Sequence, residues 1–190
     1  MLLNDTRIIE YVQRGYMDIR PFSEERVQPA SYDVLLGEGF AIMNLHPWRS
    51  GKQQIIYPWE PQPDLYTWVN SDEFILPPGK FCLATTEEWV SIPPFLAAQV
   101  GGKSSLGRIG LIVHATAGFI DPGFEGNITL ELGNVGELPI ALRPGMPIAQ
   151  LIFEELVERA ENPYAGKYQG QTGTTESKYY LNFTEHDESA

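Results

Sequence analysis

The sequence predicts a mainly β fold, an antiparallel sandwich or jelly roll preceded by one short helix. Turn signals recur at short intervals: Pro77-Pro78-Gly79, Pro93-Pro94, Gly101-Gly102, Asp121-Pro122-Gly123, Gly133-Asn134 and Pro144-Gly145. Between them lie short β-rich runs at 81–90, 127–132 and 147–153. Turns this closely spaced favour antiparallel strands over the crossover helices of a βαβ fold.

Each element has a local reason. Residues 5–14 read as a helix that Asn4 or Asp5 can cap, with Ile8 and Val12 on one face and Gly15 at its end. The stretch 46–70 is rich in Pro, Trp and Gln without a clean period, and reads as an excursion or irregular hairpin. In 127–132, alternation sends Ile128, Leu130 and Leu132 to the core and Asn127, Thr129 and Glu131 to the other face. From 163 onward the chain is polar and rich in Gly, Thr and Tyr, more a mobile arm than a core element. At 190 residues, with 43% hydrophobic content, the chain suits one core and one domain, 1–190, with 163–190 as its arm.

Composition excludes several classes. No apolar run reaches the roughly 18 residues of a membrane span. The N-terminus lacks the pattern of a signal peptide. One cysteine, Cys82, allows no intrachain disulfide, and a cytoplasmic location fits best. The net charge of −12 argues against a nucleic-acid polymer as partner. A small phosphate ligand needs only a few local cations and backbone N–H groups, so it stays open.

The chemistry concentrates at 102–134. Gly102-Lys103-Ser104-Ser105-Leu106-Gly107-Arg108-Ile109-Gly110 is a turn-prone loop whose backbone N–H groups, with Lys103 or Arg108, can cradle an anion. It is not a Walker loop. Asp121 sits in a tight Asp-Pro-Gly turn, where bonding to nearby backbone is the simpler role when the turn is taken alone. Glu131 is a carboxylate inside an alternating strand. Metal ligation is bounded by the scatter of His46, His114 and His186 and by the single cysteine, so no protein-bound zinc is expected. His114, in the apolar LIVHATA, reads as a satisfied buried histidine.

Taken together, VQPASYDVLLG at 27–37, KSSLGRIGL, HATAGFIDPGFEGNITLELGN, LRPGMPIAQL and GKYQGQTG resemble the dCTP deaminases of the dUTPase-like superfamily. The resemblance covers most of the chain and is weakest at 44–72 and at the last few residues. It implies a distorted β-barrel or jelly-roll protomer and a homotrimer with active sites between subunits. It implies that Glu131 activates water for attack on cytosine C4 without zinc, with Ser104 and Arg108 on the phosphate side and in the catalytic site. Lys103, Ser105 and Thr129 join the nucleotide-binding set, and Ala117 lies at the pyrimidine. Gln150, Tyr164, Lys167 and Gln171 match nucleotide and triphosphate contacts, the last three on a tail that closes over the ligand.

The form Thr116-Ala-Gly-Phe-Ile-Asp-Pro-Gly-Phe124 resembles the subgroup that also hydrolyses the triphosphate, giving dUMP, ammonia and pyrophosphate. Asp121 would then activate water for attack on the α-phosphorus, with Mg²⁺ carried by the phosphates. Three alternatives stay open here: a deaminase releasing dUTP, a dUTPase, and a non-catalytic nucleotide-binding regulator. The resemblance also leaves dTTP open as an effector.

Overall fold

The computed structural model describes residues 1–44, 48–49, 52–53 and 55–183. His46 and His186 lie outside the described residues. Helix α1 spans Asp5–Gln13. The Asn4 side-chain oxygen accepts the Arg7 N–H at 3.0 Å and so satisfies a free donor of the first turn. Gly15, with φ of 68°, lets the chain leave the helix. Ile8 and Tyr11 are buried, and Val12 packs against the core from its edge.

Strands follow in the order β1 (Asp18–Arg20), β2 (Val27–Gln28), β3 (Ser31–Leu35), β4 (Gly39–Met43), β5 (Trp48–Arg49), β6 (Lys52–Gln53), β7 (Tyr66–Asn70) and β8 (Phe74–Leu76). Then come β9 (Phe81–Ser91), β10 (Leu96–Gly102), β11 (Leu111–Ile112), β12 (Phe119–Ile120), β13 (Glu125–Asn134), β14 (Ile140–Leu142) and β15 (Pro147–Glu155). One sheet has the order β11-β13-β9-β4-β7, with β1 added on β9; the other is β12-β10-β15-β3-β2. These strand pairs are antiparallel. Among the described residues the strands form separate sheets, not one closed barrel. The short β5–β6 pair and the β4–β7 ladder bear out the irregular hairpin expected at 46–70.

Both sheets feed one core. Leu130 and Leu132 of β13 and Leu151 and Phe153 of β15 are fully buried. The predicted alternation holds: Ile128, Leu130 and Leu132 are buried, while Asn127, Thr129 and Glu131 are half-buried on the other face. Each large side chain removed from water contributes about 1.5–3 kcal/mol, which locks the register and so fixes which face carries Glu131.

Two features shape the region around that face. First, the β9–β13 register jumps: Asn127 faces Trp89 while Thr129 faces Thr85, so residues 86–88 bulge opposite Ile128. The bulge turns Glu88 fully inward, where it pairs with Arg26 and accepts the Leu35 N–H at 2.9 Å. Burial pushes the Glu88 carboxyl above its ordinary value, against the opposing pull of the Leu35 N–H and the Arg26 guanidinium. Second, the stretch predicted as a loop at 102–110 opens on a strand end followed by a one-turn helix, α2 (Ser104–Gly107). The N–H groups of Leu106 and Gly107 both donate to the Lys103 carbonyl at 3.0 Å, so the small residues close a helical turn.

Candidate active site

A cavity of about 470 Å³ opens beside β13. Three stretches of chain build it. From β13 come Thr129 and Glu131, on the face opposite the core leucines. From the 114–121 stretch come His114, Ala117 and Asp121. The tail supplies Tyr164, Gln171 and Glu176.

Glu131 is held in place. Its Oε2 accepts the backbone N–H of Ala115 at 2.9 Å. This ties the strand carboxylate to the loop that carries Ala117. Asp121 is exposed at the rim, and its carbonyl accepts the Phe124 N–H at 3.1 Å, as expected of the Asp-Pro-Gly turn. The turn therefore presents the carboxylate to the same cavity as Glu131. Gly118 is required by backbone approach: a Cβ there would lie 2.9 Å from the Val100 carbonyl oxygen, and the Gly118 carbonyl accepts the Val100 N–H at 2.7 Å.

The tail lies across this cavity. The Tyr164 N–H donates to the Pro122 carbonyl at 2.7 Å, and its ring sits 5.9 Å from that of Phe124. The Gln171 side chain donates to the Asn127 carbonyl at 2.7 Å. The Thr175 N–H donates to the Thr129 hydroxyl at 3.2 Å. Lys167 lines neither cavity; its ammonium donates to Asn182 Oδ1 at 2.7 Å.

A second, shallower cavity of about 350 Å³ is lined by Gly102, Lys103 and Ser104, and shares Val100 and His114 with the first. The Lys103 ammonium stands 2.6 Å from Oδ2 of Asp33. The other Asp33 oxygen is buried with no hydrogen-bond partner among the described residues. Gln150 braces the same corner: its Oε1 accepts from the Ser31 hydroxyl at 3.1 Å, and its Nε2 donates to the Gly102 carbonyl at 3.4 Å. Ser105 and Arg108 are exposed and line neither cavity, and Arg108 has no ion pair among the described residues. The predicted residues thus fall into two groups on one chain. Ala117, Asp121, Thr129, Glu131, Tyr164 and Gln171 share the larger cavity, while Lys103 and Ser104 line the smaller one, with Gln150 braced beside Gly102.

His114 departs from expectation. It is half-buried, and both ring nitrogens lack hydrogen-bond partners among the described residues. The apolar flanks Leu111 and Val113 are buried as predicted, but the chain turns after them and leaves the imidazole between the two cavities. Sequence reasoning also missed Tyr66 and Glu176, which line the larger cavity. Burial, with Glu176 and Glu131 nearby, pushes the Tyr66 phenol above its ordinary value. Tyr66 sits in the aperiodic 46–70 stretch, where only the local alternation of Tyr-Thr-Trp-Val marks a strand. Cys82 is buried, its thiol pushed up to about 12, which rules it out as a nucleophile in this form.

Chemically, the larger cavity offers three carboxylates, Glu131 half-buried and Asp121 and Glu176 exposed, Glu176 as part of the tail that covers it. Among the described residues no three His, Cys, Asp or Glu side chains converge on a metal position. No helix there is long and apolar enough to cross a membrane.

Comparison with known proteins agrees with this architecture. A family model described as dCTP deaminase-like matches residues 2–156. A protein of Leifsonia xyli subsp. xyli named "dCTP deaminase, dUMP-forming" is 47% identical over 197 residues, covering 100% of this chain and 96% of its own. One of the same name from Corynebacterium jeikeium is 48% identical, covering 96% of this chain and 99% of its own. The crystal structure of 2′-deoxycytidine 5′-triphosphate deaminase from Agrobacterium tumefaciens matches in fold with a TM-score of 0.63 at 23% identity, over 82% of this chain and 48% of that one. With a family match over most of its length and relatives nearly half identical from end to end, the chain belongs to the dCTP deaminase-like family.

Proposed function

We propose that this protein converts dCTP to dUMP, ammonia and pyrophosphate. The observation that carries it is the sharing of one cavity by Glu131, its carboxylate held by the Ala115 N–H, and Asp121. The relatives named as dUMP-forming deaminases support the same activity.

Two hydrolytic steps are needed, and each needs a base. In the first, water adds to C4 of cytosine. Glu131 takes one water proton as the hydroxyl bonds to C4 and passes it to N3 as the C4=N3 bond opens; it then carries the hydroxyl proton to the exocyclic nitrogen, which departs as ammonia and leaves the C4 carbonyl of uracil. The Ala115 N–H occupies one carboxylate oxygen and orients the other, so the base works from a fixed position. In the second, water attacks the α-phosphorus and pyrophosphate leaves. Asp121, exposed at the rim, accepts that proton. Ala117 and Thr129 flank the pyrimidine end. Lys103, Ser104, Ser105 and Arg108 form the phosphate side, braced by Gln150, and Tyr164, Lys167 and Gln171 belong to a lid.

Mg²⁺ suits this site as an ion arriving with the nucleotide. With no converging ligand set among the described residues, the triphosphate oxygens would hold it, and Asp121 is an exposed carboxylate available to its water shell. When bound, it offsets phosphate charge.

The division of site residues between two cavities supports a homotrimer in which one chain's phosphate side meets its neighbour's catalytic side. Exposed Ile109, Ile112, Val135 and Leu138 add an apolar surface for a second copy. A nucleotide substrate supports a cytoplasmic location, and dTTP is the effector to test first.

The deciding experiment incubates the protein with dCTP and Mg²⁺ and identifies every product. The expected products are dUMP, ammonia and pyrophosphate, with little free dUTP. Steady dUTP accumulation without pyrophosphate would leave only the deamination step, and no ammonia at all would end the proposal.

A further inference from the structure

The half-buried side chain of Asn127 serves two parts of the molecule at once. Its Nδ2 donates towards the carbonyls of Thr86, Glu87 and Glu88 at 3.2, 3.3 and 3.0 Å, the three residues of the β9 bulge. Its Oδ1 accepts the Gly173 N–H of the tail at 3.1 Å. The main chain adds two ties: the Asn127 N–H donates to the Gln171 carbonyl at 3.0 Å, and the Asn127 carbonyl accepts from the Gln171 side chain at 2.7 Å. Beside it, Gly126 pairs with Gln171 in a parallel bridge, and a Cβ on Gly126 would lie 2.7 Å from the Gln171 carbonyl oxygen.

We propose that Asn127 is a positioning residue that seats the tail over the catalytic cavity. A strand side chain needs only one partner to satisfy each end of its amide. Here one end is anchored in the bulge, which fixes the direction of the other, and that other end receives a tail amide. Gln171 and Thr175, on either side of Gly173, line the cavity. Their position is therefore set from Asn127, two residues before Thr129 and four before Glu131. Asn127 itself does not line the cavity, so it acts through the tail and not on substrate. The inference rests on the deaminase reading for its kinetic effect but not for its structural one.

The test uses the full chain with Asn127→Ala and Asn127→Asp, read by site-resolved amide exchange and by steady-state kinetics on dCTP. In Asn127→Ala, exchange at Gly173 and Thr175 is expected to quicken roughly tenfold while Leu130 and Leu132 keep wild-type rates. KM for dCTP is expected to rise roughly tenfold, with kcat within about threefold, because saturating substrate restores the seated tail. Asp keeps the acceptor for Gly173, so its exchange and KM should fall between wild type and Ala. A role confined to the bulge predicts the opposite order, since a carboxylate facing three carbonyls is worse there than a methyl group. That opposite order, failure of both variants to fold, or unchanged tail exchange in Ala would each overturn the proposal. If wild type releases no ammonia from dCTP, the deaminase reading fails, and the exchange measurements alone still decide the role of Asn127.

Discussion

The backbone N–H of Ala115 donates to Oε2 of Glu131 at 2.9 Å, across 16 residues of sequence. This bond joins a strand whose position is set by the core to a loop that has no core residue between Ala115 and Phe119. It makes Glu131 both a candidate base and the anchor of the loop beside it.

Replacing Glu131 with Gln separates these tasks. The amide oxygen can still accept from Ala115, but the side chain can no longer take a proton. Fold and dCTP binding should persist while ammonia release falls by about 10²–10⁴-fold. Near-normal ammonia production by the variant would remove Glu131 from the mechanism.

Asp121→Asn tests the second hydrolysis. The carboxylate is exposed at a turn, so the substitution should leave the melting temperature within a few degrees, as surface changes do, a shift of about 0.5 kcal/mol or less. Pyrophosphate release, followed by phosphorus NMR, should drop by about 10²-fold or more. Wild-type pyrophosphate yield from Asp121→Asn would sink the assignment.

Lys103 and Asp33 should behave as a pair. Lys103→Met strands a largely buried carboxylate that already has one oxygen without a partner among the described residues. We expect a loss of about 1–3 kcal/mol in urea unfolding, discounted from a fully buried pair because the lysine is partly exposed. The double variant Asp33→Asn/Lys103→Met removes the stranded charge and should recover part of that loss. Simple additivity of the two single changes would show that the ion pair is energetically idle.

Glu88 makes a prediction with pH. Burial raises its carboxyl in the folded protein above the ordinary 4.5. Between these values the native state binds more protons than the unfolded chain. This group's contribution to stability is therefore full below the ordinary value and lost as pH rises through the raised one. Urea unfolding from pH 4 to 8 should show wild type losing stability with rising pH relative to Glu88→Gln. The variant cannot titrate there, although it is less stable overall because Arg26 loses its partner. Parallel pH profiles for the two proteins would contradict the raised value.

Much of the fold was legible because its signals are local. The turns around Pro78, Pro122 and Pro144, the alternation from Ile128 to Leu132, and the Asn4 cap depend on neighbours within a few residues. They delivered a mainly β chain with one short helix, and they put Glu131 on the face away from the core. The start of the 102–110 stretch was misread as loop for the same reason. Gly and Ser suit a loop and a single helical turn alike, and the choice was made by the Lys103 carbonyl accepting two N–H groups.

What the sequence by itself determined is therefore the strand alternation, the turn that displays Asp121, and the motif order that marks the family. Only the tertiary structure decided which of these residues meet. It brought Tyr66 and Glu176 to the same cavity as Glu131 from opposite sides in sequence, set His114 between two cavities, and committed Lys103 to Asp33. It also laid a tail with no hydrophobic period along β13. The physical reason is that such a tail is held by backbone hydrogen bonds and by single polar side chains such as Asn127. Those partners lie some 45 residues away in the chain, and no local pattern of polarity records them.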